Sequence, residues 1–276
     1  MREGRLYWTA VAPATAYLGL FFLVPIILVL AISFEGPRPW SNYAHIVSAP
    51  VYLIVMANTF RVGAVVTGLV LVLAYPLAYL ISTLSGRKAA ILLGLVALPW
   101  FTSLLVRSYA WIVILGQEGI VNKILVGLGI VDRPLPLLYS ATGLYVAMVH
   151  ILLPYMVLTL YGVMRGIDRR LLRAAGAAGA PPWRAFLHVY APLSLPGVLG
   201  GSLLVFIMAI GFYVTPALLG GPRQMMIAQM ITSEMLESLN WGLGTALAAI
   251  LLVVTLAGLA ICGRFINLGR LLGGPR

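Results

Sequence analysis

Six long apolar stretches, separated by shorter polar segments, dominate the pattern of hydrophobic and polar positions. Each stretch exceeds the roughly 20 apolar residues that a helix needs to cross a bilayer. They cover residues 8–34, 58–83, 90–116, 139–164, 193–219 and 242–266. Backbone polar groups in lipid must be satisfied within their own segment, and these runs lack the alternation of barrel strands. The pattern therefore predicts an all-α integral membrane protein with six transmembrane helices.

Composition supports this fold class and excludes a soluble enzyme. Of the 276 residues, 62% are hydrophobic and only 9% are charged, whereas soluble domains carry about 25% charged residues. We expect one membrane domain over residues 1–276, without a soluble appendage. Cys262 is the only cysteine, and the three histidines are scattered, so no metal site is predicted. The spans offer no cluster of titratable groups for catalysis, so we expect no catalytic residue.

The distribution of basic residues predicts the orientation of the helices. Twelve of the 18 Lys and Arg residues lie at or beside the termini and the even-numbered loops, where the acidic residues are only Glu3 and Asp168. Because positive residues stay on the cytoplasmic side, both termini are expected to be cytoplasmic. The segments 35–57, 117–138 and 220–241 would then face the exterior. The net positive charge is thus explained by the orientation of the chain in the membrane, and nucleic acid is not an expected partner.

The longest predicted cytoplasmic connection, residues 165–192, has the pattern of a helix, a break and a second helix. Asp168 is a suitable N-cap for the first helix, and Gly179 suits the position after its end. Pro181-Pro182 fits the first turn of the second helix. Small residues precede the break, so that another backbone can approach closely; they are Ala174, Ala175, Gly176, Ala177 and Ala178.

The same loop resembles the EAA loop of ABC-importer permeases. The family pattern is Glu-Ala-Ala, three residues, Gly, nine residues, then an aliphatic residue, any residue, Leu and Pro. The matching residues are Arg173-Ala174-Ala175, Gly179 and Val189-Tyr190-Ala191-Pro192, at the family's spacing throughout. Two identities depart from the pattern, because Arg173 stands in place of Glu and Ala191 in place of Leu.

Two more stretches are similar to the spermidine/putrescine-type subgroup of these permeases. The segment Val106-Arg107-Ser108-Tyr109-Ala110-Trp111 resembles the subgroup's third span, and residues 211–222 resemble the exit of its fifth span. The segment Leu193-Ser194-Leu195-Pro196-Gly197 also follows the loop as is common in the family. The resemblance covers roughly residues 50–265, so the chain is identified as a member of the type I, MetI-like permeases.

This resemblance implies a subunit of a binding-protein-dependent importer in the bacterial cytoplasmic (inner) membrane. The implied partners are a second, homologous permease chain, two cytoplasmic ATPases and an extracytoplasmic solute-binding protein. The chain lacks a G-x-x-x-x-G-K-[ST] loop. We therefore expect it to be no enzyme and to bind no cofactor, with ATP and Mg²⁺ on the partner ATPases. The implied ATPase-coupling residues are Arg173, Ala174, Ala175, Gly176, Ala177, Ala178, Gly179 and Pro192.

Candidate residues of the substrate pathway come from the two matching span motifs. They are Arg107, Tyr109, Trp111, Phe212, Tyr213 and Thr215, and Gly211 and Pro216 are candidates to break the fifth helix. Aromatic faces hold an ammonium by cation–π contact at about 0.5–2 kcal/mol, although such residues are also typical of a bundle core or an interfacial belt. Two roles are open for Arg107: its side chain binds main-chain carbonyls, or it attracts an anionic substrate group. Arg264 can snorkel to the surface.

Three functions remain open on the sequence. The first is import of polyamines, which the subgroup resemblance implies. The second is import of another small solute, such as an opine, an amino acid derivative or a phosphonate, because no acidic residue falls within the six stretches. The third is a non-transport membrane scaffold. The Arg173 departure has two interpretations: the partner ATPase has an acidic or neutral groove there, or the side chain points to solvent.

Overall fold

The computed structural model describes the backbone of residues 2–265 and the side chains of residues 11–260, and this part of the chain contains helices and turns without a strand. The α-helices are α1 (Arg2–Ser33), α2 (Ser41–Ser48), α3 (Pro50–Thr83), α4 (Gly86–Ala97), α5 (Leu104–Leu115), α6 (Ile120–Gly127), α7 (Ala141–Arg165), α8 (Arg170–Ala177), α9 (Pro182–Ala185), α10 (Ala191–Ile210), α11 (Val214–Leu219), α12 (Ile227–Thr232) and α13 (Trp241–Phe265). The side chains of Cys262 and Arg264 lie outside the described set, so the snorkelling of Arg264 stays a prediction.

Six segments are long and apolar enough to cross a membrane, which confirms the predicted number. They are Val11–Ser33, Pro50–Thr83, Leu104–Gly127, Ala141–Arg165, Pro182–Ile210 and Trp241–Ala260. Four of them coincide with the predicted stretches to within a few residues, apart from an extension of the second stretch back to Pro50. The third and the fifth differ more, and in both cases a helix break is the reason.

The third predicted stretch, 90–116, does not form one helix. Helix α4 ends at Ala97, a 3-10 turn covers Leu98–Phe101, and α5 begins only at Leu104. Pro99 has no amide hydrogen for a helical bond, and Thr102 is extended with ψ 145°. The apolar crossing segment is instead Leu104–Gly127, which includes α5 and α6.

The fifth predicted stretch, 193–219, is displaced towards the N-terminus. Its helical segment begins at Pro182 and ends at Ile210. The chain leaves the helix at Gly211 and starts the short α11 at Val214. Gly211 therefore marks the predicted break, whereas Pro216 lies inside α11.

The described residues divide into two compact units, of which the first contains those up to Ile54 and Ile227–Val254. In this unit Asn42 fixes the end of α1, because its Nδ2 donates to the carbonyls of Ser33 at 3.0 Å and of Glu35 at 2.8 Å. The hydroxyls of Ser33 and Tyr43 are 2.7 Å apart. Tyr52 donates to Glu234 at 3.2 Å. These polar bonds order the segment that follows α1.

The second unit contains Val55–Met226 and the described residues from Thr255 onwards. Its core lies around α7, whose Leu144, Met148, Leu152, Met156 and Leu160 have no exposed surface. Their spacing of four residues places them along one stripe of the helix. Glycines of α10 let it approach this helix closely, and small residues are typical of helix contacts in lipid. A single permease domain over 1–276 stays a prediction.

Candidate functional site: the cytoplasmic loop and the broken helices

The predicted helix, break and second helix are all present in the loop 165–192. Asp168 Oδ1 accepts from the Arg170 amide at 2.8 Å, although Arg169, and not the predicted Asp168, is the residue that flanks the start of α8. At the other end Gly179 has φ 86°, the left-handed conformation that glycine adopts most easily. Its amide donates to the Gly176 carbonyl at 2.9 Å, and the Ala180 amide to the Ala175 carbonyl at 3.0 Å. These two bonds form a Schellman motif, which stops the helix.

The second half of the loop continues without interruption into the membrane segment. Helix α9 begins at Pro182, and a wide π turn over Phe186–Tyr190 joins it to α10. The turn lies next to Pro192, which has no amide hydrogen to donate to the His188 carbonyl. The Ala191 amide donates to the Phe186 carbonyl, five residues back, as in a π helix. The loop is thus attached to α10 by a continuous helical backbone.

The face that this loop presents is exposed and partly apolar. The side chains of Arg173 and Ala174 and the residues 176–179 are exposed. Leu171, Trp183 and Leu187 are 47%, 58% and 54% exposed, although all three are apolar. The Arg184 guanidinium carbon lies 5.1 Å from the centre of the Trp183 ring. A basic rim around apolar side chains is typical of a surface that binds another protein.

Two arginines at the start of the loop contact the end of α3, a connection that the sequence analysis missed. Arg165 Nη1 donates to the Leu84 carbonyl at 2.9 Å. Arg169 donates to the carbonyl of Thr83 from Nη1 and to that of Ser82 from Nη2. The sequence treats these arginines only as orientation charges, because more than 80 residues separate them from their partners.

The second candidate region lies where the third and fifth predicted stretches are interrupted, just before one crossing segment and just after the other. Helix α5 follows one interruption and α11 follows the other. The two helices meet through the buried Ser108 and Thr215, whose hydroxyl oxygens are 3.3 Å apart. Discontinuous helices leave backbone groups unpaired within the membrane, and in transporters such breaks often line the substrate path.

The structure separates the predicted pathway residues by exposure. Tyr109 and Tyr213 are 58% and 43% exposed, so both rings have free surface. Thr215 is fully buried, and Phe212 is half-buried against the core of the second unit. Trp111 is also half-buried, and its Nε1 donates to His150 Nδ1 at 3.2 Å. Trp111 and His150 line an otherwise mostly apolar cavity of about 560 Å³ between α3, α5 and α7.

Arg107 is in the first turn of α5, and its role stays a prediction. Its Nε and Nη1 atoms are buried and have no hydrogen-bond partner among the described residues. The described crossing segments contain one acidic residue, the exposed Glu118 between α5 and α6. Among residues 11–260, no three His, Cys, Asp or Glu side chains come together as metal ligands.

Comparisons with known proteins identify the same kind of molecule. The sequence model of the family described as "Binding-protein-dependent transport system inner membrane component" matches residues 14–266. The spermidine/putrescine transport system permease protein PotB of Haemophilus influenzae is 36% identical over 247 residues, which cover 86% of each chain. PotB of Escherichia coli K12 is 30% identical, over 86% of this chain and 90% of its own.

The fold is also that of a solved transporter. The crystal structure of a bacterial alginate ABC transporter, in complex with an alginate pentasaccharide-bound periplasmic protein, superposes with a TM-score of 0.79. The match covers 99% of this chain and 96% of that chain, at 17% sequence identity. At this identity the comparison establishes the shared fold.

Proposed function

The chain belongs to the family of binding-protein-dependent transport system inner membrane components, and on that premise we propose that it moves polyamines of the spermidine and putrescine class across the inner membrane. The membership makes it the membrane subunit of an ABC importer. One observation carries the substrate: PotB, 36% identical over 86% of this chain, is named a spermidine/putrescine permease.

The proposed assembly contains a second permease chain, two cytoplasmic ATPases and an extracytoplasmic solute-binding protein. ATP and Mg²⁺ bind to the ATPases, and this chain binds no cofactor. The exposed small residues of α8 and the exposed Trp183 and Leu187 support docking of an ATPase against the loop. Because the loop continues into α10 through a helical backbone, movement of a docked ATPase reaches the membrane segment directly. Alternating access follows when the spans rock between two states.

Within the membrane we assign solute contact to Tyr109 and Tyr213. Both rings have free surface near the helix interruptions that adjoin the third and fifth crossing segments. Each exposed ring offers an ammonium about 0.5–1 kcal/mol by cation–π contact. Such weak contacts suit a pathway from which the solute must also leave. Trp111, Phe212 and Thr215 support these positions through packing and hydrogen bonds.

A second candidate substrate class has a specific observation in its favour. The Nε and Nη1 atoms of Arg107 are buried without a partner, and the one acid in the described crossing segments is exposed. A positive charge in the spans repels a polycation and attracts a carboxylate or phosphonate. Opines, amino acid derivatives and phosphonates are therefore the alternatives, with Arg107 as the residue that attracts the anionic group.

The test is ATP hydrolysis by the complete complex in lipid nanodiscs with its own binding protein. The panel contains putrescine, spermidine, opines, amino acids and phosphonates. Stimulation by a polyamine alone supports the proposal, and Tyr213→Ala should then lower the stimulation whereas Tyr213→Phe should preserve it. Stimulation by an anionic or zwitterionic solute alone overturns the polyamine assignment. If no ATPase copurifies with the chain, the non-transport scaffold replaces both.

A further inference from the structure

Three consecutive carbonyls at the end of α3 are held by side chains from the cytoplasmic loop. The carbonyl of Leu84 accepts from Arg165, and those of Thr83 and Ser82 accept from Arg169. The last carbonyls of any helix lack intrahelical partners and carry the negative end of the helix dipole. A guanidinium offers several N–H donors in one plane, so Arg169 binds two of these carbonyls at once. We name these three bonds the α3 clamp.

Other contacts tie the same end of α3 to the segment after the break. The hydroxyls of Ser82 and Tyr190 are 3.2 Å apart, and those of Tyr75 and Ser194 are 2.8 Å apart. Tyr79 packs edge-on against Phe186 and Tyr190, with ring centres 5.4 Å and 5.0 Å apart. The end of α3 is therefore bonded to both halves of the loop, before α8 and after it.

The two kinds of contact differ in how they can be removed. Ser82 and Tyr190 are buried, so changing them would disturb packing. Arg165 and Arg169 are exposed side chains; two of their three bonds to α3 are exposed, and the bond from Arg169 to Ser82 is partly buried. Hydrogen bonds of this kind typically contribute about 0.5–1.5 kcal/mol each to folding, so a variant that lacks them should still fold. Their geometric effect is larger, because they join a crossing helix to the segment on which α8 is built.

We infer that Arg169 is a positioning residue for transport: through the α3 clamp it makes the cytoplasmic end of α3 move together with the loop. The inference rests on the proposed function, since it assumes that an ATPase drives the loop. The loop already connects to α10 through the backbone. With the clamp, one displacement of the loop moves α3 and α10 together. Without it, the end of α3 is joined only to the segment after the break, through Tyr190 and Ser194, and α8 can move relative to α3.

The first experiment measures coupling. The complete complex is reconstituted in proteoliposomes, and ATP hydrolysis and uptake of radiolabelled spermidine are measured together. Arg169→Gln is expected to lower uptake per ATP hydrolysed by about fivefold or more, the lower end of typical coupling between sites. Arg169→Lys keeps the charge but reaches fewer carbonyls, so it should give an intermediate ratio. Arg87→Gln is the matched control, because it removes an exposed positive charge from the same predicted side of the membrane.

The second experiment requires no solute. Spin labels are placed at Ser85→Cys and Arg170→Cys in a Cys262→Ser background, and their distance is measured without nucleotide and after trapping with ATP and vanadate. With Arg169 present, the distance should be the same in both states. With Arg169→Gln, it should shift or broaden on trapping. This readout reports the movement of α3 with the loop, which a change in stability alone would not alter.

The two experiments separate failure of the inference from failure of the proposed function. If the wild-type complex does not take up spermidine, the polyamine assignment fails, and the spin-label distances still decide the role of Arg169. If wild type and Arg169→Gln give equal label distances in both states, the α3 clamp has no positioning role. An unchanged uptake per ATP in Arg169→Gln would overturn it as well. If Arg169→Gln does not assemble, Arg169→Lys and Arg165→Gln are measured in its place.

Discussion

Gly179 is the residue on which the shape of the cytoplasmic loop depends most directly. Its φ of 86° is strained for any residue with a Cβ, although a Cβ there would meet no atom within 4 Å. The left-handed conformation costs such a residue about 1–2 kcal/mol. Gly179→Ala should therefore weaken the two Schellman bonds and speed exchange of the amides of residues 179 and 180 by about 5- to 30-fold. Hydrogen exchange followed by mass spectrometry measures this rate.

Gly176 provides the matched control for this prediction. A Cβ at Gly176 also meets nothing within 4 Å, but the residue lies inside α8 with helical backbone angles. Alanine is favoured over glycine in a helix interior by about 1 kcal/mol, so Gly176→Ala should slow exchange or leave it unchanged. Equal acceleration in both variants would show that added bulk matters and that the left-handed backbone does not.

Arg173 tests the charge of the surface that the loop meets. The side chain is exposed, and it stands where the family pattern has Glu. If the ATPase groove is acidic, Arg173→Glu replaces an attraction by a repulsion, each about 0.2–1 kcal/mol at an exposed site. Association of the ATPase should weaken by about 2- to 30-fold in a pull-down titration. Arg87→Glu, the same charge reversal away from the loop, should have no effect. Unchanged or tighter association of Arg173→Glu would contradict an acidic groove.

At the scale of the elements, the packing of α10 on α7 depends on two glycines of one helix face. A Cβ at Gly197 would lie 3.0 Å from Val163 Cβ, and one at Gly201 would lie 2.7 Å from Met156 Sδ. Val163 is β-branched and stiff, whereas the methionine sulfur is at the far end of a flexible side chain. Gly200, between them in the sequence, has nothing within 4 Å of its Cβ position.

These contacts predict an order of stability. Gly197→Ala overpacks the contact and should cost about 1–3 kcal/mol, which lowers Tm in nanodiscs by about 2–10 °C. Gly201→Ala should cost less, and Gly200→Ala should be neutral or stabilising because of helix propensity. The measurement is thermal unfolding of the three variants side by side. Equal Tm values for Gly197→Ala and Gly200→Ala would refute the close approach.

The elements also show which features a sequence can predict. Apolar length predicted the number of crossing segments, and local turn chemistry predicted Gly179 and the restart at Pro182, because both depend on near neighbours in the chain. The interruption at Thr102 was missed, since proline inside a membrane helix is compatible with either a kink or a break. The α3 clamp and the bond from Trp111 to His150 join residues far apart in sequence, for which periodicity has no signal.

At the scale of the whole molecule, the distribution of charge predicts how the chain is oriented in the membrane. Twelve of the 18 Lys and Arg residues lie on the side that contains the loop 165–192, so this side should be cytoplasmic. Single cysteines introduced into a Cys262→Ser chain test this with a membrane-impermeant maleimide on intact cells. Glu35→Cys and Asp132→Cys should react at once, because both positions are exposed and predicted to be external. Arg87→Cys and Arg184→Cys should react only after permeabilisation.

The labelling pattern bears on the mechanism as well as on the topology. ATP is available only in the cytoplasm, so an ATPase can reach Trp183, Leu187 and the small residues of α8 only if this surface is cytoplasmic. Labelling of Arg184→Cys in intact cells, with Glu35→Cys protected, would show that the chain has the opposite orientation. The loop could then not dock an ATPase, and the α3 clamp would have no driven segment to follow. A reagent that reacts at all four positions in permeabilised cells confirms that protection reflects the membrane and not burial within the protein.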